Sequence, residues 1–199
     1  MHNEQDKWLM FDEVVEGYSP YRIANLGSRY INPRNIIGFS LSEKEILNSG
    51  KLMYLSENVK VQGWKPIHLQ DFELILLPNG KFTVGNGGNH RAYLSKQLTL
   101  ESIPAHIEVL IPQNLMSEST IKKIKELEEE QSIYDKKAYE LNMLLISKGS
   151  SRVNYLAEEE ELNSLYSRSD LKNITINQLL LIEASNLGYL SKELLEGTI

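Results

Sequence analysis

The sequence predicts a small α/β module of mixed sheet and short helices followed by an all-helical extension, and three observations carry this. Apolar strand formers over residues 73–84 fold back on each other across Pro78-Asn79-Gly80, a glycine-rich loop then opens a helix, and beyond Pro112 the apolar pattern turns helical. The first sixty residues hold an apolar cluster at Trp8-Leu9-Met10-Phe11 and turn signals at residues 17–20 and at Asn32-Pro33. Ser42 stands three residues before Glu45, the capping-box spacing, which predicts a short helix over 42–47 with Gly50 placed to stop it. Ile67-His68-Leu69 and residues 73–77 read as strands, and Lys81-Phe82-Thr83-Val84 as the return strand of a hairpin. Gly85-Asn86-Gly87-Gly88 cannot continue that strand, and from Asn89 to Leu98 a helix resumes with Tyr93, Leu94 and Leu98 on one face. Residues 103–110 alternate as a further strand, with Pro104 near its start, where a ladder donor is dispensable.

A helix is expected from Met116 to about Ser147, with Ile121, Ile124, Leu127, Tyr134, Ala138, Leu141 and Leu145 mostly three and four residues apart. After a break at 147–151, two more helical stretches are expected near 153–166 and 176–195, so the chain divides into an α/β domain over 1–112 and a helical region over 113–199. Its tyrosines, at 134, 139, 155, 166 and 189, are expected to pack the helices, although such residues also suit a binding surface.

Composition narrows the chemistry. The chain of 199 residues has no cysteine, which excludes disulfides, thiolate metal sites and cysteine nucleophiles. The first ten residues mix charged and apolar side chains, and no apolar run approaches the roughly 20 residues of a membrane span, so a soluble, cytoplasmic protein with no membrane partner is expected. The net charge of −6 is uneven: residues 1–112 carry 11 Lys and Arg against 12 Asp and Glu, and residues 113–199 carry 10 against 15. An acidic second half argues against a broad surface tracking nucleic-acid phosphates. The runs at 126–130 and 158–161 read as solvated helix faces or as surfaces for a basic partner.

Between a strand and a helix, a glycine pair permits unusual backbone angles and lets an anion approach the exposed N–H groups of the helix start. Here Gly87 and Gly88 lead into Asn89, His90 and Arg91, which puts cations in a first turn that normally favours acids and points to an anionic, phosphate-bearing ligand. The plainer alternative is a glycine turn capped by Asn89, with His90 and Arg91 in solvent.

Gly87-Gly88-Asn89-His90-Arg91 resembles the phosphate-loop signature of the ParB/sulfiredoxin superfamily, with asparagine in place of the sulfiredoxin cysteine. The likeness continues in register through Lys65-Pro66-Ile67-His68-Leu69, residues 80–84 and Ile103-Pro104-Ala105, and extends towards Asn32-Pro33-Arg34. It implies a ParB/sulfiredoxin-like fold whose loop holds the phosphates of ATP or CTP, with Mg²⁺, through Gly87, Gly88, Asn89, His90 and Arg91, with Lys65 and Arg34 as further ligands. Asn89 has no thiolate, which rules out sulfiredoxin chemistry.

Pro112-Gln113-Asn114-Leu115-Met116 has the asparagine of a partition-type element without its arginine, and no helix-turn-helix is evident, since 176–195 carries only Lys192 as a cation. The resemblance also implies, for a branch that phosphorylates free serine, a carboxylate base. Asp71, Glu73 and Glu101 are the candidates, with His90 as a further catalytic candidate, and each carboxylate is equally readable as a surface charge. His68 and His106 are expected as core or edge histidines, and no His and carboxylate set has metal-ligand spacing. Two functions follow: a nucleotide-binding protein that hydrolyses ATP or CTP or transfers its phosphoryl group, or a non-catalytic regulator of partition, phage or immunity type. The regulator would act on DNA or on a protein partner, and the helical region would either pack on the α/β module or mediate contact with a protein partner or a second copy of the chain, as a homodimer.

Overall fold

The computed structural model describes residues 8–65, 72–85, 87–147, 155–192 and 194. The predicted strand at 67–69 and the candidate Asp71 therefore lie outside the described residues, as do His68 and residues 148–154. The chain forms two compact units, one of residues 1–115 with 184–199, the other of residues 116–183. No helix among the described residues is long and apolar enough to cross a membrane.

The first unit is a mixed α/β fold on six strands: β1 (Leu9–Met10), β2 (Tyr21–Ile31), β3 (Ile36–Phe39), β4 (Glu73–Leu76), β5 (Phe82–Val84) and β6 (Ile103–Pro112). They lie in the order β1-β3-β5-β4-β6-β2. β1, β3 and β5 run parallel, β4 returns antiparallel to β5 in the predicted hairpin, β6 runs parallel to β4, and β2 closes the sheet antiparallel to β6. One edge of the sheet thus gathers the carboxyl ends of β1, β3 and β5 with the amino end of β4. Open sheets of this kind place their ligand crevices outside such strand ends.

β2 has no clear signature in the sequence because its alternation breaks in the middle. Ala24 and Leu26 are buried before Gly27 and Arg29 and Ile31 after it, and the register with β6 shifts between Asn25 and Gly27. A bulge at a glycine of φ +85° exchanges the two faces of the strand. β6 alternates as predicted from Ile103 to Val109. With Leu74, Leu76, Ile107 and Val109 wholly buried, the centre of the sheet is its apolar core. On the face carrying Ile75, Leu77 and Leu110, helix α1 (Phe11–Val15) packs with Phe11, Val14 and Val15.

Helix α2 (Glu43–Leu47) forms as predicted, with Ser42 and Glu45 completing the capping box. Gly50 does not end it. α2 stops at Leu47 and Gly50 begins a second helix, α3 (Gly50–Gln62), because the Ser49 side chain accepts the Lys51 N–H and caps a new start. Helix α4 (Asn89–Gln97) follows the glycine loop. It runs antiparallel to β3, since Asn89 bonds to Ser40 just past the strand's end while Lys96 donates to the Ile36 carbonyl at its start.

The second unit is an antiparallel helix pair, α5 (Glu118–Ser147) and α6 (Leu156–Asn186, to Glu183 within this unit). Lys172 pairs with Glu130, Ser169 donates to Asp135, and the Arg168 guanidinium lies over Tyr134. Buried Glu183 accepts from the Ser117 N–H and the Thr120 hydroxyl, placing a carboxylate at the α5 start. The two expected C-terminal stretches are one helix. Ser167 and Thr175, which sit in its polar middle, return their hydroxyls to the carbonyls of Asn163 and Leu171 and leave the helical ladder intact. The described helix ends at Asn186 rather than near Leu195, at a stop formed by Gly188 (φ +75°) and a bond from the Tyr189 N–H to the Ala184 carbonyl.

Candidate functional site

The strand, glycine loop and helix arrangement predicted around Gly87 is present. Gly87 and Gly88 have φ of +74° and +84°, and Gly88 caps α4 from the left-handed region with no side chain bonded across the helix start. Tertiary packing imposes a second requirement for glycine at 88: a Cβ there would lie 2.4 Å from the buried Phe72 ring.

Asn89 faces inward and is only 4% exposed. Its Oδ1 accepts from the N–H groups of Ser40 (2.9 Å) and Leu41 (3.3 Å), and its Nδ2 donates to the Ser40 hydroxyl (2.8 Å). The carboxamide therefore pins the end of β3 to the start of α4. Asn89→Ala strands two backbone donors, so a loss of about 2–3 kcal/mol is expected in urea unfolding. Asn89→Asp, which keeps the acceptors, should lose less.

His90 and Arg91 follow on the half-buried side of α4. The His90 Nε2 is buried without a hydrogen-bond partner, and burial, then the charge of Lys51, holds its imidazole below the usual histidine range. Arg91 lies over the Trp64 ring, 5.8 Å from its centroid, and lines a cavity of about 290 Å³ together with Trp64 and Lys65. Lys65 itself donates to Gln62 Oε1 at 2.9 Å.

The fold thus brings Lys65 to Arg91 but separates two other candidates from the loop. Arg34 is exposed ahead of β3, at the end of that strand where α4 finishes, and Glu101 is exposed beyond the α4 carboxyl end. Both stand about one α4 length, roughly 13 Å, from the glycine loop.

A carboxylate pair occupies the other side of the loop. Parallel pairing of β4 and β6 sets Glu73 opposite His106 and Ile75 opposite Glu108, so all four side chains share the α1 face. Glu73 and Glu108 hydrogen-bond to each other. They line a cavity of about 320 Å³ with Asp12, Ser40 and Gly85; of these, Ser40 is the hydrogen-bond partner of Asn89 and Gly85 is the residue with which the glycine loop begins. Burial first, then the charge of Glu73 and its hydrogen bond, push the Glu108 carboxyl up to about 7. A carboxyl of that pKa exchanges protons near neutrality.

Glu73 was legible as a candidate base. Glu108, Lys51 and Trp64 were not, and only the half-buried alternation of Pro104, His106 and Glu108 on β6 hints at Glu108. Among the described residues no group of three or more His, Asp and Glu is placed to hold a metal ion. No family model, curated protein or solved structure matches the chain.

Proposed function

We propose that the chain binds a nucleoside triphosphate, ATP or CTP, with its phosphates on the loop of Gly87, Gly88, His90 and Arg91, and transfers the terminal phosphoryl group to water or to a hydroxyl acceptor. The observation that carries this reading is the clustering of cations at a helix start without a side-chain cap. Lys51 lies near enough to lower the His90 pKa, Arg91 is the next residue, and both glycines hold left-handed φ angles ahead of a helix start that has no side-chain cap. The positive end of a helix dipole, with Lys51 and Arg91 close to it, favours an anionic ligand.

Glu108, with Glu73 beside it, takes the role of general base in this reading, since their cavity shares Gly85 with the loop and a proton moves on or off Glu108 near pH 7. The base accepts the acceptor hydroxyl's proton while Arg91 and the α4 N–H groups stabilise charge on the phosphoryl oxygens. A Mg²⁺ ion would enter with the phosphates, which need only one or two carboxylates besides their own oxygens to hold it.

The test is thermal unfolding of wild type and Arg91→Ala with and without ATP or CTP and Mg²⁺. At about one hundred times its dissociation constant a nucleotide stabilises the native state by roughly 2.7 kcal/mol, a shift of about 5–11 °C for a protein of this size. The shift is expected for wild type and lost in Arg91→Ala. Equal behaviour of the two proteins towards both nucleotides refutes the proposal.

A further inference from the structure

The phosphate loop leaves open where the rest of a nucleotide lies, and the cavity beside Arg91 answers that chemistry. Its volume, about 290 Å³, is near the lower end of small-molecule pockets, roughly 300–1,000 Å³. One wall is α3, whose residues Tyr54, Asn58 and Gln62 repeat every four positions and so share a helix face. The opposite side is Trp64, Lys65 and Arg91. Trp64 keeps its Nε1 buried, so the indole gives the cavity ring surface rather than its donor. α3 has no buried residue, and Tyr54 is 68% exposed at the rim. Aromatic surface, two carboxamides and two cations on one small cavity suit a flat, hydrogen-bonding ring that carries an anionic tail.

We propose, resting on the nucleotide reading above, that this cavity takes the base of the nucleotide and that the base is adenine. Stacking on Trp64 rewards the larger, bicyclic ring. The Asn58 carboxamide offers a donor and an acceptor side by side, the pair that meets adenine's amino group and ring nitrogen. Gln62 has its carbonyl engaged by Lys65, which leaves Asn58 as the reader of the base edge. Arg91 borders the cavity and belongs to the first turn of α4, so it joins the base site to the phosphate site.

The chain has two tryptophans, Trp8 and Trp64. Trp8→Phe retains the aromatic stack on Phe39 and makes Trp64 the sole indole reporter. In this background ATP is expected to quench Trp64 emission, whereas inorganic tripolyphosphate, which has no ring, stabilises the protein in thermal unfolding without quenching. Asn58→Ala is expected to weaken ATP about tenfold and to leave tripolyphosphate binding unchanged. Thermal protection by ATP with unchanged Trp64 emission, or with equal affinity in Asn58→Ala, overturns the base site while the phosphate loop stands. CTP bound as tightly as ATP overturns the choice of adenine. No protection by ATP, CTP or tripolyphosphate overturns the nucleotide reading and the base site together.

Discussion

Replacing Gly88 by alanine is expected to lower stability by about 3 kcal/mol, from two costs that add. A left-handed backbone with a Cβ costs roughly 1–2 kcal/mol, and at 88 that Cβ also meets the buried Phe72 ring at 2.4 Å. Phe72 donates no flexible end to move aside, and overpacking of this kind costs roughly 1–3 kcal/mol. The melting temperature should fall by about 6–12 °C. Gly80 provides the control, because its φ of +75° is similar and open space surrounds the position of its Cβ. Gly80→Ala should show the strain alone, about 1–2 kcal/mol. Equal losses at the two sites would mean that the Phe72 contact yields easily and that the loop is looser than its geometry indicates.

Glu108→Gln should reduce phosphoryl transfer by about 10²–10⁴-fold while leaving nucleotide-induced thermal protection in place, the signature of a lost general base. The same variant has a distinct effect on the free protein. Glu108 titrates at about 7 when folded and near 4.5 otherwise, so between these values the folded state binds the extra proton. Wild-type stability therefore declines as pH rises from about 4.5 to 7 through this group, and Gln removes that decline. Because the carboxyl is partly exposed and screened by solvent, the difference above pH 7 should be on the order of 1 kcal/mol in favour of the variant. His90 acts in the opposite sense, since its lowered value makes acidification below about 6.5 destabilising. The comparison of wild type with Glu108→Gln, measured by urea unfolding across pH 4 to 8, isolates the carboxyl from the imidazole. Unchanged turnover in Glu108→Gln would remove the base from the mechanism, and parallel stability curves would remove the proton from the pair.

Local signals in the chain account for the pieces nearest the loop. Alternating apolar residues around Asn79-Gly80 specify the β4–β5 hairpin, the Ser42 and Glu45 spacing specifies α2, and two adjacent glycines before Asn89 specify a break that opens a helix. Each depends on neighbours within a few positions, where backbone angles and capping bonds are decided. The absence of cysteine likewise shows from the sequence alone that these 199 residues supply no thiolate of their own.

The rest required the fold. The sequence shows Asn89 where a cap is expected, but its bonds go to Ser40 and Leu41, 49 and 48 residues away. It lists Glu73 and Glu108 as isolated charges 35 positions apart, and only the adjacency of β4 and β6 brings them into one hydrogen-bonded pair. Arg34 and Glu101 fit the expected chemistry by type, yet the antiparallel course of α4 along β3 leaves them at its far end. Periodicity and turn chemistry thus determined which segments become strand, loop or helix, because those choices are made by local sterics and hydrogen bonding. Which charges meet, which face inward and which are kept apart was decided by strand order and packing, because those contacts join residues that no local pattern relates.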